Sequence, residues 1–241
     1  GIAKWLCGGD SAIVTSWTHF ESNDSQGLVA VAPNTLFPLL IFDPDRTCDG
    51  ATSTLAHASA SIDFDRVNVD YRKFIDSGCT KWDWLIGFGY GQLNMDLRAN
   101  YDDTRLVRVE SDSWGYGLRV GGGAETGKSW IRGFGHADLT LLASNVNASY
   151  KELQPGLGAT SVVANVDREF DRIIPVLDLE VGVAMDLTCH TILKVGYMYS
   201  AWFNTVVPTT FVSDVQHGDY LNNISDTLTF DGLFARLEVT W

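Results

Sequence analysis

From Trp82 to Gly91 the chain alternates: one parity holds Trp82, Trp84, Ile86, Phe88 and Tyr90, and the other holds Asp83, Leu85, Gly87, Gly89 and Gly91. Successive side chains of a β-strand point to opposite sides, so this segment is a strand with one apolar face and one small or charged face. The split returns at Trp114 to Val120, where Trp114, Tyr116, Leu118 and Val120 oppose Gly115, Gly117 and Arg119. From Ile173 to Leu187, the residues Ile173, Leu177, Leu179, Val181, Val183, Met185 and Leu187 face away from Asp178, Glu180, Gly182, Ala184 and Asp186. Thr191 to Phe203 sets Leu193, Val195, Tyr197, Tyr199 and Phe203 against Lys194, Gly196 and Ser200. Leu233 to Trp241 sets Leu233, Ala235, Leu237, Val239 and Trp241 against Arg236, Glu238 and Thr240. Ile131 to Leu141 follows suit, with Arg132, His136, Asp138 and Thr140 on the polar side, where Phe134 joins them. Between Phe64 and Val67 the apolar parity of Ile62 to Phe74 switches, which predicts a β-bulge near Asp65 and Arg66. Ser11 to Phe20 and Gly1 to Cys7, neither with an assignable face, bring the count to nine strand segments.

The connections alternate in length. Gly8 to Asp10, Asp76 to Thr80, Gly121 to Lys128 and Thr188 to His190 are short, whereas Glu21 to Leu55, Leu97 to Asp112, Ser144 to Asp171 and Asn204 to Asp226 are long. Short turns at one end and long loops at the other describe an all-β fold, an antiparallel up-and-down transmembrane β-barrel with periplasmic turns and extracellular loops. Single-chain bacterial barrels generally have even strand numbers, so the working count is about ten. Residues 1–241 then form a single barrel domain, expected to lack one or more N-terminal strands and a signal peptide.

Periodicity does not say which parity faces outward, because a soluble barrel shows the same alternation with its apolar side within. Composition decides. The polar parity mixes glycines with charges of both signs instead of the Lys, Thr, Glu and Ser of a solvated face, and a glycine-lined inner wall makes room. Trp82, Trp84, Trp114, Tyr116, Tyr197, Tyr199 and Trp241 fall near strand ends, where aromatic girdles mark the two membrane interfaces. The bacterial outer membrane is the expected location. A mean hydropathy of zero is too polar for a helical membrane protein, and Pro33, Asn34 and Pro38 interrupt the most apolar stretch well short of the roughly 20 residues a spanning helix needs. A net charge of -13 argues against a nucleic-acid partner.

Candidate lumen-lining residues are Arg72, Arg119, Arg132, Lys194 and Arg236, with Asp70, Asp83, His136, Asp138, Asp178, Glu180 and Glu238. Charge rings select ions in pores. Opposite charges on neighbouring strands also pair and fill a small barrel, and a barrel of about ten strands is narrow. Two functions follow: a porin-like, narrow pore for ions or small solutes, or a non-conducting structural or anchoring barrel whose long loops mediate surface or subunit contacts. The segment from Gly27 to Phe42 is oddly apolar for a loop in water; it either constricts the lumen, docks on a partner or extends the strands locally. Cys7, Cys79 and Cys189 fall in short turns and Cys48 in a long loop, so a Cys7 to Cys79 bridge competes with free thiols and with crosslinks between subunits. Asp43, Asp45 and Asp49 lack the glycine and terminal glutamate of a calcium loop and read as a solvated turn. His136 and Asp138 share a face with Ser144 and Ser149 further along, but no nucleophile motif accompanies them. No catalytic residue, metal or cofactor is expected.

Several segments carry a family resemblance: Ser16-Trp17-Thr18-His19-Phe20, Ser61-Ile62-Asp63-Phe64-Asp65 on to Tyr71, and Trp84-Leu85-Ile86-Gly87-Phe88-Gly89-Tyr90. Arg172-Ile173-Ile174-Pro175-Val176-Leu177-Asp178-Leu179-Glu180 and Phe230-Asp231-Gly232-Leu233-Phe234 to Trp241 complete it. In these the chain resembles the Legionella-type major outer membrane proteins, pore-forming barrels also common in planctomycetes. The resemblance implies disulfide-linked assembly, a homo-oligomer or larger envelope assembly, and outer-membrane lipid and lipopolysaccharide as partners. The closing aromatic, Trp241, looks like the signal read by barrel assembly machinery during biogenesis.

Overall fold

In the computed structural model the described residues are 1–6, 10–42, 53–102, 105–127, 130–155, 160–188, 190–217 and 224–239. The strands are β1 (Ile2–Trp5), β2 (Ser11–Val29), β3 (Leu55–Ser77), β4 (Thr80–Tyr101), β5 (Arg105–Thr126), β6 (Ile131–Pro155), β7 (Thr160–Thr188), β8 (Thr191–Thr205) and β9 (Asp226–Val239). They form one 9-stranded antiparallel sheet in the order β1 to β9, each strand paired with its neighbours in sequence. Among the described residues no β1 to β9 pairing closes the sheet. It nevertheless curls back on itself, since Phe230 of β9 lies 5.2 Å from Phe20 of β2 and 4.9 Å from Phe64 of β3 between ring centroids.

The strands are longer than a membrane crossing requires. β4 alone has 22 residues, against the roughly 9–11 that span a bilayer. The surplus explains where the sequence reading of the connections is corrected. Two of the four expected long loops, 97–112 and 144–171, are mostly strand: β4 and β5 pair up to Tyr101 and Arg105, and β6 and β7 up to Pro155 and Thr160. The segment before β3 and the one between β8 and β9 remain long, and the latter holds helix α1 (Pro208–His217). Pro208 occupies the first helical position, where its missing N–H costs nothing, and the buried Pro208, Phe211, Val212 and Val215 fall at the spacing of one helix face. No helix among the described residues is long and apolar enough to cross a membrane.

The expected bulge near Asp65 and Arg66 is also absent. β3 runs in unbroken register against both neighbours, Phe64, Asp65, Arg66 and Val67 pairing with Phe20, His19, Thr18 and Trp17 on one side and with Leu93, Gln92, Gly91 and Tyr90 on the other. The backbone keeps its parity; the chemistry of the two faces changes sign. Inward positions of β3 pass from the apolar Ile62 and Phe64 to Arg66, Asn68 and Asp70, while outward positions pass from Asp63 and Asp65 to Val67, Val69 and Tyr71.

This inversion recurs in one register row from β2 to β7. The last row of the outward apolar band is Trp17, Val67, Tyr90, Tyr116, Ala143 and Ile173, and the next is His19, Asp65, Gln92, Trp114, Asn145 and Asp171. Below the boundary the outer face is apolar and open, with Phe88, Tyr116 and Ile173 at 64%, 62% and 60% exposure. Above it the outer face is polar and the inner face carries the hydrophobic core, in which Leu93, Val107, Val109 and Tyr150 are fully buried. The physical reason is the change of solvent: lipid outside the lower half demands apolar side chains outward, and water around the upper half demands them inward.

Candidate functional site

The inner face holds two layers. The upper is an apolar cap in which Met95 and Tyr101 of β4, Val146 and Tyr150 of β6, Phe170 of β7 and the buried face of α1 pack together. Ile41 enters this cap from the segment before β3. Glu152, with no exposed surface, holds it there: its carboxylate accepts from the Phe42 N–H at 2.8 Å and pairs with Arg105 at 2.7 Å. The Tyr150 hydroxyl lies 3.0 Å from the Leu40 carbonyl and 3.1 Å from Glu152. Burial and the neighbouring Glu152 raise this phenol well above its ordinary range, which keeps it a donor. The Gln216 amide of α1 adds bonds of 2.7 Å to the carbonyls of Leu39 and Ile41. Part of the apolar segment 27–42 is therefore a plug. Gly27 to Val29 belong to β2, and Leu28, Val29, Val31, Phe37 and Leu39 stay exposed at the rim.

Below the cap lies a charged layer in which the polar groups find partners across the sheet. Arg66 of β3 reaches Asp178 of β7 at 2.6 Å and Thr140 of β6 at 2.8 Å. Asp178 also accepts from Ser200 at 2.7 Å. Arg119 pairs with Asp138 and faces Asp70 at 3.7 Å. His136 Nε2 lies 2.8 Å from an Asp138 carboxylate oxygen, and its ring also faces Arg72 at 3.4 Å and Asp83 at 3.8 Å. Nearer the short turns Arg132 pairs with Glu125 at 2.6 Å and with Asp186, Lys194 with Glu238 at 2.9 Å, and Arg236 with Glu180 at 2.8 Å. Phe134 belongs here because the Lys194 ammonium sits 5.6 Å over its ring. All twelve residues singled out as lumen-lining, Asp70 to Glu238, lie on the inner parity with a charged or hydrogen-bonding neighbour.

Between the layers the walls meet. Trp202 of β8, 1% exposed, lies so close to β4 that a Cβ on Gly91 would fall 3.1 Å from its Cη2 and 3.2 Å from Leu142 Cδ1. Gly91 makes room, and the room is taken by an indole.

Arg66, Trp202 and Glu152 are the inner-face residues that the sequence reading missed. Arg66 was absorbed into the supposed bulge, Trp202 lies on the polar parity of a segment whose apolar parity drew attention, and Glu152 fell within 144–171, expected to be a long loop. A parity kept unbroken through Arg66 is the one local signal that finds it. The girdle candidates Trp82, Trp84, Trp114, Tyr116 and Tyr197 are exposed on the outer parity and Tyr199 is half-buried there; Trp241 lies outside the described residues. So do Cys7, Cys48, Cys189, Asp43, Asp45 and Asp49; Cys79 is an exposed thiol, and no disulfide is found among the described residues. Ser144 stands eight residues along β6 from His136, about 27 Å of extended strand, beyond the reach of a triad. Among the described residues one group could converge on a metal: His19, Asp63 and Asp65, on the outer face just above the boundary. Asp65 there already bonds His19 at 3.2 Å and the Trp17 indole at 3.0 Å.

An apolar outer wall, a charged inner face and short turns opposite long connections are the features of an outer-membrane barrel. The sequence profile of the family described as Legionella pneumophila major outer membrane protein precursor matches residues 9–241, nearly the whole chain. The chain belongs to this family. Its place is accordingly the bacterial outer membrane. No curated protein matches the chain at a significant level. For a member of the Legionella major outer membrane protein family, the inversion of the two faces tells which part of each strand stands in lipid and which stands above it.

Proposed function

We propose that this chain builds a non-conducting, structural barrel wall in the outer membrane, with its long-loop end given over to surface or subunit contacts. The observation that carries the reading is the contact of Trp202 with the Gly91 wall, beneath a cap sealed by Ile41 and α1. Ion pairs such as Arg66 to Asp178 bridge β3 and β7 and leave few charges free to coordinate a passing ion. Leu28, Val29, Val31, Phe37 and Leu39, exposed at the rim, supply apolar surface for contacts of the kind that unite envelope assemblies. Homo-oligomerisation, lipopolysaccharide at the polar outer rows and the assembly machinery during insertion are partners consistent with this reading.

The test is single-channel recording in planar bilayers. The unaltered chain is expected to give no discrete conductance steps. Regular steps whose reversal potential shifts on Arg132→Glu or Arg236→Glu would overturn the closed reading in favour of a charge-selective pore.

A further inference from the structure

We propose that His19, Asp63 and Asp65 form a binding site for a divalent cation of the zinc class on the outer face, clipping β2 to β3 just above the membrane boundary. The site is built across two register rows. His19 pairs with Asp65 in one and Glu21 with Asp63 in the next, and because all four positions share the outward parity, three carboxylates and an imidazole meet on one small patch of two strands. His19 Nδ1 lies 3.2 Å from Asp65 Oδ1 and 3.8 Å from Asp63 Oδ1, and the ligand atoms of the three residues converge within 4.8 Å of one another. Ligands at about 2.0–2.2 Å from a zinc ion stand roughly 3–4 Å apart. The cation therefore fits between the side chains with little rotation of any of them.

Hydrogen bonding alone does not satisfy this cluster. Asp65 Oδ1 accepts from the Trp17 indole at 3.0 Å and faces His19, but Asp63 Oδ1 is shut off from solvent and has no hydrogen-bond donor among the described residues. A proton on Nδ1 serves one carboxylate, whereas a cation serves both and takes the nitrogen lone pair as well. Charge points the same way. Glu21 and Asp63 stand directly opposite each other, an arrangement that is destabilising between like charges. The first two rows above the boundary offer no relief: from β2 to β7 they hold no Lys or Arg at any outward position, and they add Asp112, Glu169 and Asp171.

The donor set selects the metal. An imidazole beside two carboxylates suits a borderline cation such as zinc over calcium or magnesium, which take oxygen ligands. The Trp17 N–H holds Asp65 from behind, as the hydrogen-bonded partners of metal ligands do, and its ring stacks on that of His19 with centroids 6.1 Å apart. Three protein ligands leave a position open to water. The place of the site gives it a task. β1 pairs only with Ala12 to Thr15 of β2, so beyond Thr15 no strand among the described residues covers that edge. A cation shared by β2 and β3 ties this edge strand to the sheet.

Isothermal titration of the folded, chelator-treated chain in detergent with Zn²⁺ reads the site directly, and heat-modifiable gel migration confirms folding of every variant. One Zn²⁺ per chain is expected, with affinity falling at least tenfold in His19→Ala and in Asp63→Asn and unchanged in Glu169→Gln, which removes a carboxylate of the same rows outside the cluster. Cu²⁺ bound in place of zinc should show coupling to one imidazole nitrogen by electron paramagnetic resonance, and His19→Ala should abolish it. Zn²⁺ should also raise the temperature of the gel shift in the unaltered chain and leave that of His19→Ala where it is. No stoichiometric zinc, full zinc affinity in folded His19→Ala, or displacement of zinc by equimolar calcium overturns the proposal; the last two outcomes mark counter-ions gathered by the acidic rows instead of a built site.

Discussion

Trp202 and Gly91 touch across the inner face although β8 and β4 stand four strands apart, the indole occupying the space that a side chain on Gly91 would need. Gly91→Leu alone should overpack the interior and cost about 1–3 kcal/mol. Trp202→Ala alone should leave a cavity and cost about 3–5 kcal/mol. The double variant should recover part of both losses, because the leucine fills the space that the indole leaves. Denaturant unfolding in detergent micelles checks the cycle, and strict additivity would mean the two residues are not in contact.

Arg66 and Asp178 form the longest-range inner-face ion pair among the described residues. Arg66→Met should destabilise by about 3 kcal/mol, because among the described residues it leaves the Asp178 carboxylate with Ser200 as its donor. Replacing both, as Arg66→Met with Asp178→Leu, should restore most of the stability, since two apolar side chains need no partner. Urea midpoints of the three variants measure this.

Depth in the membrane makes its own prediction. Phe88 faces outward within the apolar band, whereas Gln92 faces outward just above it. Phe88→Arg should cost about 2–4 kcal/mol and Gln92→Arg about 0–1 kcal/mol. Refolding yields into lipid vesicles rank the two, and equal yields would remove the boundary from where the inversion puts it.

Glu152 should act as the clasp of the plug. Glu152→Ala removes the acceptor for the Phe42 N–H and the partner of Arg105. Amide hydrogen exchange at Phe42 should then rise sharply while strands in the membrane band stay protected. An unchanged rate would show that Gln216 and the apolar packing of Ile41 suffice.

Asp102 gives the fold a pH-dependent tether above the boundary. Desolvation pushes its carboxyl upward, but hydrogen bonds from the N–H groups of Thr54 and Leu55 and from the Thr54 hydroxyl outweigh this and lower it. A carboxyl whose folded pKa is depressed contributes stability that is fully present above the ordinary aspartate range and is lost as pH falls through the folded value. Pepsin nicking near Thr54 should therefore begin only below that range, and Asp102→Ala should be nicked throughout pepsin's working range.

How much of this could be read beforehand depended on range. Trp82 to Tyr90 announce an apolar wall because side-chain alternation is a property of one strand, fixed within a few residues. The charged positions from Arg72 to Glu238 were legible for the same reason. The upper halves of β4 to β7 were not: residues such as Leu93 and Asp96 keep the alternation but reverse its meaning, and a reader following apolar residues takes the reversal at Phe64 to Val67 for a bulge.

Sequence by itself determined the strand pattern below the boundary, the short turns and the two-faced wall, because each rests on local sterics and on which solvent a side chain tolerates. Tertiary structure alone decided that Arg66 finds Asp178 at a sequence separation of 112 residues, that Ile41 seals the cap, and that Gly91 on β4 receives Trp202. Those contacts arise from the curl of the whole sheet, which brings distant strands face to face.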